Sequence, residues 1–186
     1  MNNIIYLHGF GSSGESNKGK LLKSVYHDRV LTPDLLCKPE EDIKKIKNLI
    51  ENSKNPILVG SSYGGLYADY FNKIFELKAL YINPLTDVTK LKNFIGDHKY
   101  YNSNREFTFS KKDYDYLLFM YEEIERSITS NSTRIVLLAK DDSVIDYKVA
   151  ENYFVGENDR LIISETGGHN FSCDDLLLDT VRVLLN

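Results

Sequence analysis

The sequence predicts a three-layer α/β/α sandwich around a mostly parallel sheet. Short apolar runs alternate with amphipathic helical segments along most of the chain, and glycine-rich turns stand directly after two of those runs. Such alternation builds βαβ units, whose crossovers lay helices on both faces of the sheet. At 186 residues the chain suits one domain, 1–186, on ordinary domain sizes.

Ile4-Ile-Tyr-Leu7 is a short apolar run closed by glycines, the pattern of a buried strand. A polar Gly/Ser loop follows, then helical character from Lys18 to Tyr26, and a weak second strand at Val30-Leu31 cut off by Pro33. In the segment Glu40 to Asn52, Ile43, Ile46, Leu49 and Ile50 form one stripe of an amphipathic helix, with Pro39 just ahead, where its missing N–H costs little. Ile57-Leu-Val59 is the third strand, followed after a Gly/Ser turn by a helix from about Leu66 to Phe75. Leu80-Tyr-Ile82, halted by Asn83-Pro84, is the fourth, and Arg134 to Ala139 the fifth. Tyr147 to Tyr153 reads as a short helix, Leu161-Ile-Ile163 as a sixth strand and Cys173 to Leu185 as the last helix.

The segment 84–132 breaks this rhythm, being longer than a crossover helix needs. It is rich in Tyr and Phe, and Ser110 with Asp113 three residues on resembles a capping box opening a helix through about Ser127. Tyr114, Leu117, Leu118, Tyr121, Ile124 and Ile128 fall on one face of that helix, and core packing is the simpler reading of the stripe. An insertion over the carboxyl edge of a sheet is also where a lid sits. The expected architecture is therefore a parallel core with a helical, aromatic-rich, lid-like insertion at about 84–132.

Composition narrows the function classes. The hydrophobic share is 42% and the charged share 27%, values of a soluble globular protein rather than a disordered chain or a rod. A net charge of −4 argues against a nucleic-acid partner, because phosphate affinity needs clustered Lys and Arg. No apolar run, Ile135 to Ala139 among them, approaches a membrane span, and Met1-Asn-Asn lacks the character of a signal peptide. A cytoplasmic location is expected. Cys37 and Cys173 suggest no disulfide framework, and no His/Cys/Asp spacing suits a metal, so no metal and no cofactor is expected. The oligomeric state is not legible.

Two glycine-rich turns compete for the chemistry. Gly9, Gly11 and Gly14 make G-x-G-x-x-G directly after a strand, with Asp34 beyond them, which meets the spacing of a dinucleotide fingerprint. Gly60-Ser61-Ser62-Tyr63-Gly64-Gly65 stands between strand and helix, and Gly60-x-Ser62-x-Gly64 is the nucleophile-elbow pattern in its proper context. A serine on such a sharp turn projects its hydroxyl above the sheet, and side chains two residues to either side would collide. An elbow serine needs an acid and then a histidine in chain order. Asp142 follows the fifth strand and His169 the sixth, so both fall at carboxyl ends of strands, where a sheet of this class builds its site. Ser62, Asp142 and His169 are the candidate catalytic residues, nucleophile, orienting acid and base. Adjacent Asp141 stays open as an alternative acid. The loop His8-Gly9-Phe10-Gly11 then reads as an oxyanion loop, the hole combining the backbone N–H groups of Phe10 and Tyr63. The dinucleotide reading leaves Ser62, Asp142 and His169 unexplained.

Ile4 to Ser13, Gly60 to Gly65, Ala79 to Pro84, Asp142 to Tyr147 and Gly167 to Phe171 together resemble the small bacterial YqiA-type esterases of the α/β-hydrolase superfamily, over nearly the whole chain. The resemblance implies a compact α/β-hydrolase fold, a Ser-Asp-His triad falling on Ser62, Asp142 and His169, and hydrolysis of an acyl ester or thioester through an acyl-enzyme. Within that motif Asp146 is expected to cap the next helix, which fixes the register in favour of Asp142. Nothing in 84–132 matches a family motif. Its aromatic loop offers Tyr100, Tyr101, Phe107 and Phe109 as substrate-binding candidates, since aromatic rings make a broad apolar wall. The expected partner is a small acyl ester or thioester. A binding protein that keeps the hydrolase fold without turnover is the alternative.

Overall fold

A computed structural model describes residues 3–101, 103–127 and 130–186. Six strands form one sheet in the order β2 (Val30–Leu31), β1 (Ile4–Leu7), β3 (Ile57–Ser61), β4 (Ala79–Ile82), β7 (Arg134–Ala139) and β8 (Asp159–Ser164). Every pairing within it is parallel. The helices are α1 (Asn17–Tyr26), α2 (Pro39–Glu51), α3 (Tyr63–Phe75), α4 (Lys111–Ser127), α5 (Tyr147–Tyr153) and α6 (Asp174–Leu185).

The central strands β1, β3, β4 and β7 are buried along their length and largely apolar because both faces are covered. The edge strand β8 is half-exposed and begins Asp159-Arg160. Ile5, Leu7, Leu58, Tyr81, Val136 and Leu138 point into one core, with Ile46 of α2, Phe71 of α3 and Leu117 of α4. Ile4, Tyr6, Val59, Leu80, Ile135 and Leu137 point into the other, with Leu22 of α1 and Leu177 and Val181 of α6. That is the three-layer arrangement expected from the alternation.

Differences are concentrated in the insertion. Besides α4 it holds a 3₁₀ helix, Val88–Phe94, and an antiparallel hairpin, β5 (Gly96–Lys99) with β6 (Glu106–Phe109). The hairpin is short and its strands are polar on the outer side, so alternation gave too little signal to separate it from loop. Helix α4 opens as the capping box requires: the Ser110 N–H donates to Asp113 Oδ2 at 2.8 Å and the Asp113 N–H to Ser110 Oγ at 3.2 Å. Its face of Tyr114, Leu117 and Met120 is buried in the core with α2 and α3 rather than over the carboxyl edge. Ile128 of the expected stripe lies outside the described residues, as does the side chain of Ile124.

Candidate active site

The turn between β3 and α3 forces Ser62 into a positive-φ conformation, φ 52° and ψ −120°. Three glycines make that turn possible by close approach. A Cβ on Gly60 would sit 2.6 Å from the Gly64 carbonyl oxygen and 2.7 Å from Ala68 Cβ. On Gly64 it would overlap the Leu7 carbonyl of β1, and on Gly65 it would meet Pro84 Cβ at 2.6 Å. The helix is thereby drawn against the end of the neighbouring strand, and the Ser62 side chain stands at the carboxyl edge of the sheet. Ser61 ends β3 as a buried residue.

His169 and Asp142 reach Ser62 from the ends of the next strands. His169 Nε2 lies 3.0 Å from Ser62 Oγ, and Nδ1 lies 2.8 Å from Asp142 Oδ2. A carboxylate can only accept, so Nδ1 carries the proton and Nε2 is left to accept from the serine hydroxyl. The Asp142 side chain is 1% exposed. Its other oxygen accepts the N–H groups of Val144 and Ile145 at 2.8 and 3.0 Å, which fixes the carboxylate plane. Asp146 caps α5 through the Lys148 N–H.

Asp141 does a different job from its neighbour. Its two oxygens accept the N–H groups of Gly168 and Gly167 at 2.7 and 3.2 Å, tying down the loop that carries His169. Gly168 has φ +60° there, which a glycine takes without strain. From the far side Asn83 Nδ2 donates to the carbonyls of Gly168 and His169, while its Oδ1 accepts the Ala139 N–H. Asn83 is a site residue that sequence reasoning missed. The signal was present as Asn83-Pro84, where the chain leaves the sheet, but a strand terminator accounts for that dipeptide equally well.

Gly9 flanks the serine: a Cβ there would lie 3.5 Å from Ser62 Cβ. The N–H groups of Phe10 and Tyr63 have no hydrogen-bond partner among the described residues. His8 is fully buried, donating from Nδ1 to the Gly9 carbonyl and accepting the Leu35 N–H at Nε2, both at 2.8 Å. Burial pushes its imidazole below the ordinary value of 6.5, so it is held neutral. The Gly11 N–H points at the Cys37 thiol, which burial raises to about 12 and keeps unreactive. The Gly11 carbonyl accepts the Tyr101 N–H from the hairpin.

The residues behind the dinucleotide pattern are committed elsewhere. Asp34 accepts the Gly14 N–H at 2.8 Å, and Gly14 packs against the Thr32 backbone. The spacing therefore reflects a loop closing on its own strand end.

A cleft of about 1200 Å³ opens at Ser62 and His169. Of the four aromatic candidates in the insertion only Tyr101 lines it. This corrects the expectation for Tyr100, Phe107 and Phe109. Phe109 is fully buried, and the rings of Phe107 and Phe109 pack against Phe10, each with centroids 5.4 Å away. The Tyr100 ring packs at a tilt against Phe107, centroids 4.6 Å apart, and its hydroxyl donates to the Leu36 carbonyl. These rings hold the loop of Phe10 instead of facing the cleft. The insertion reaches the cleft through its 3₁₀ helix, with Leu91 and Phe94. No described helix is long and apolar enough to cross a membrane.

Residues 3–176 match the protein family UPF0227. A UPF0227 protein of Shewanella woodyi is 28% identical over 102 residues, which cover 50% of this chain and 55% of the relative. One of Pectobacterium carotovorum is 29% identical over 90 residues, covering 44% and 49%. The matched region thus spans about half the length of these curated relatives. Among solved structures, a monoacylglycerol lipase of Paleococcus ferrophilus superposes with a TM-score of 0.75 at 14% identity, covering 97% of this chain and 93% of that one. The esterase domain of a Rhodothermus marinus protein gives 0.72 at 17% identity, covering 98% and 84%. An alpha/beta superfamily hydrolase from Oenococcus oeni gives 0.64 at 16% identity, covering 98% and 93%. At these identities the likeness is one of fold, and the fold is that of the α/β-hydrolases.

Proposed function

The chain belongs to the UPF0227 family, and on that footing we propose that it is a serine hydrolase that cleaves a carboxylic ester or thioester through an acyl-enzyme on Ser62. The observation that carries the reading is the continuous hydrogen-bonded line from Ser62 Oγ through the His169 ring to Asp142 Oδ2. Ser62 Oγ attacks the acyl carbon as its proton passes to His169 Nε2. The carbonyl oxygen becomes an oxyanion held by the Phe10 and Tyr63 N–H groups, which have no other partner among the described residues. Collapse breaks the acyl–oxygen or acyl–sulfur bond, and His169 returns the proton to the departing alcohol or thiol. Water then attacks the acyl-enzyme, its proton again taken by His169, and the acid leaves with Ser62 restored. Asp142 stabilises the imidazolium in both halves without taking its proton.

Fluorophosphonate treatment followed by peptide mass spectrometry tests this reading. The adduct is expected on Ser62, and Ser62→Ala is expected to lower kcat by ~10⁴ or more. An adduct on Ser61, or no adduct together with no turnover of any acyl ester, overturns it; the second result leaves a binding protein with a hydrolase fold.

A further inference from the structure

The cleft at Ser62 has two chemically unlike wings. On the side of the α2–α4 layer its wall carries the apolar side chains of Phe10, Leu85, Leu91, Phe94 and Ile145, and the charges of Asp87 and Lys90 there pair with each other at 3.9 Å. On the side of the α1–α6 layer the wall is polar, with Ser12, Asn17, Lys18, Asn170 and Asp174 beside the ring of Tyr6. A substrate split at Ser62 places one half in each.

Resting on the serine-hydrolase reading, we infer that Lys18 binds an anionic oxygen group, a carboxylate or phosphate monoester, on the leaving-group half of the substrate, while the apolar wing takes the acyl chain. Lys18 lies in the first turn of α1, half-buried in the cleft wall. Among the described residues it makes no ion pair or hydrogen bond, whereas Lys20 nearby is exposed and Lys23 is paired with Glu15. The other charge of this wing, Asp174, attracts it from the start of α6. Asp174 is exposed and sits in the first turn of its helix, where water and the helix dipole already satisfy a carboxylate. Lys18 is the less solvated of the two, and burial pulls its ammonium down to about 8. A cation partly stripped of water and lacking a hydrogen-bond acceptor gains most from an incoming anion. Hydrocarbon suits the opposite wing, so the charge belongs to the half that departs.

The test uses the full chain and three butyrate esters on one phenol scaffold: para-butanoyloxybenzoate, para-butanoyloxyphenyl phosphate and the neutral para-butanoyloxybenzamide. The readout is the ratio of kcat/KM for each anionic ester to that for the benzamide. Wild type is expected to favour at least one anion, and the larger ratio identifies carboxylate or phosphate. In Lys18→Met the ratio should fall roughly tenfold or more, chiefly through KM. Lys18→Arg should restore it, and Lys18→Glu should drive it below the Met value. The fraction of Ser62 labelled by a fluorophosphonate counts folded sites in each variant. A wild-type ratio near one for both anions, or an unchanged ratio in fully labelled Lys18→Met, overturns the inference while leaving the hydrolase reading standing. A Lys18-dependent preference for mono-para-nitrophenyl glutarate over para-nitrophenyl butyrate overturns the assignment to the leaving group. No turnover of any ester and no labelling overturns both readings.

Discussion

Asn83 grips the backbone on both sides of the bond that leads into His169. Its Nδ2 donates to the Gly168 and His169 carbonyls at 2.9 and 3.1 Å, and its Oδ1 accepts the Ala139 N–H at 2.9 Å. One buried amide thus ties the end of β7, which delivers Asp142, to the loop after β8, which delivers His169. Only an amide offers donor and acceptor together in this shape. Asn83→Ala should orphan the Ala139 N–H at a cost of about 1–3 kcal/mol. It should also lower kcat by up to ~100-fold as the histidine drifts, with little change in KM. Asn83→Asp, which keeps the acceptor but turns an oxygen on two carbonyls, should be no better. Urea unfolding and steady-state kinetics separate the effects; wild-type kcat in a destabilised Asn83→Ala would remove the positioning role.

The two neighbouring acids should part company in kinetics. Asp142→Asn leaves the imidazole in the wrong tautomer and should lower kcat by ~10⁴, with the fold intact by circular dichroism. Asp141→Asn keeps one carbonyl oxygen for the Gly168 N–H and loses the acceptor for Gly167, so a drop of less than about tenfold is expected. The reverse ranking would move the orienting role to Asp141.

Ser62 stands in a backbone conformation that costs of order 1–3 kcal/mol for a residue with a Cβ. Ser62→Gly relieves that strain, while Ser62→Ala does not. Both should abolish turnover. Only the glycine variant should be more stable, by about 1 kcal/mol after its larger unfolded-state entropy is subtracted. Equal unfolding midpoints for the two variants would mean the elbow stores no strain.

His8 ties stability to pH. Its imidazole is 6.5 when unfolded and lower when folded, so its contribution is fully present above 6.5 and is lost as pH falls towards the folded value. Protonation would also cost the Leu35 N–H its acceptor. Asp42 works in the opposite sense: burial raises it from 3.8 to about 6, so its contribution is full below 3.8 and is lost as pH rises through about 6. Comparing wild type with His8→Asn between pH 8 and 5 isolates the histidine. Wild type should lose more stability than the variant below pH 6.5, and parallel curves would show that His8 does not titrate there.

The sheet and its elbow were readable because their causes are local. A strand buried on both faces must be apolar throughout, and a helix closing against a neighbouring strand must omit Cβ atoms at Gly60 and Gly64. Chain order then pointed to Asp142 and His169 for the other site positions. What stayed hidden depends on pairing across the sequence. Asn83 reaches residues more than eighty positions away, and nothing local distinguishes it from a turn former. The aromatic residues of 84–132 were visible, but a ring on a wall and a ring behind a loop have the same composition.

That last distinction can be measured with an acyl series from acetyl to dodecanoyl. Leu91 and Phe94 line the cleft, so Leu91→Ala and Phe94→Ala should change the preferred chain length. Each methylene buried there contributes about 0.8 kcal/mol at most, and a few carbons can therefore move kcat/KM by one or two decades. Phe107 and Phe109 touch Phe10 edge to face instead. Phe107→Ala loosens the support of the Phe10 loop and should lower kcat for every chain length by a similar factor, because the proposed oxyanion donor is misaligned whichever acyl group is bound. Phe109→Ala should in addition cost about 3–5 kcal/mol of stability, since its ring is fully buried. A shifted chain-length optimum in Phe107→Ala, with none in Phe94→Ala, would exchange the two roles and place the acyl wall at the hairpin.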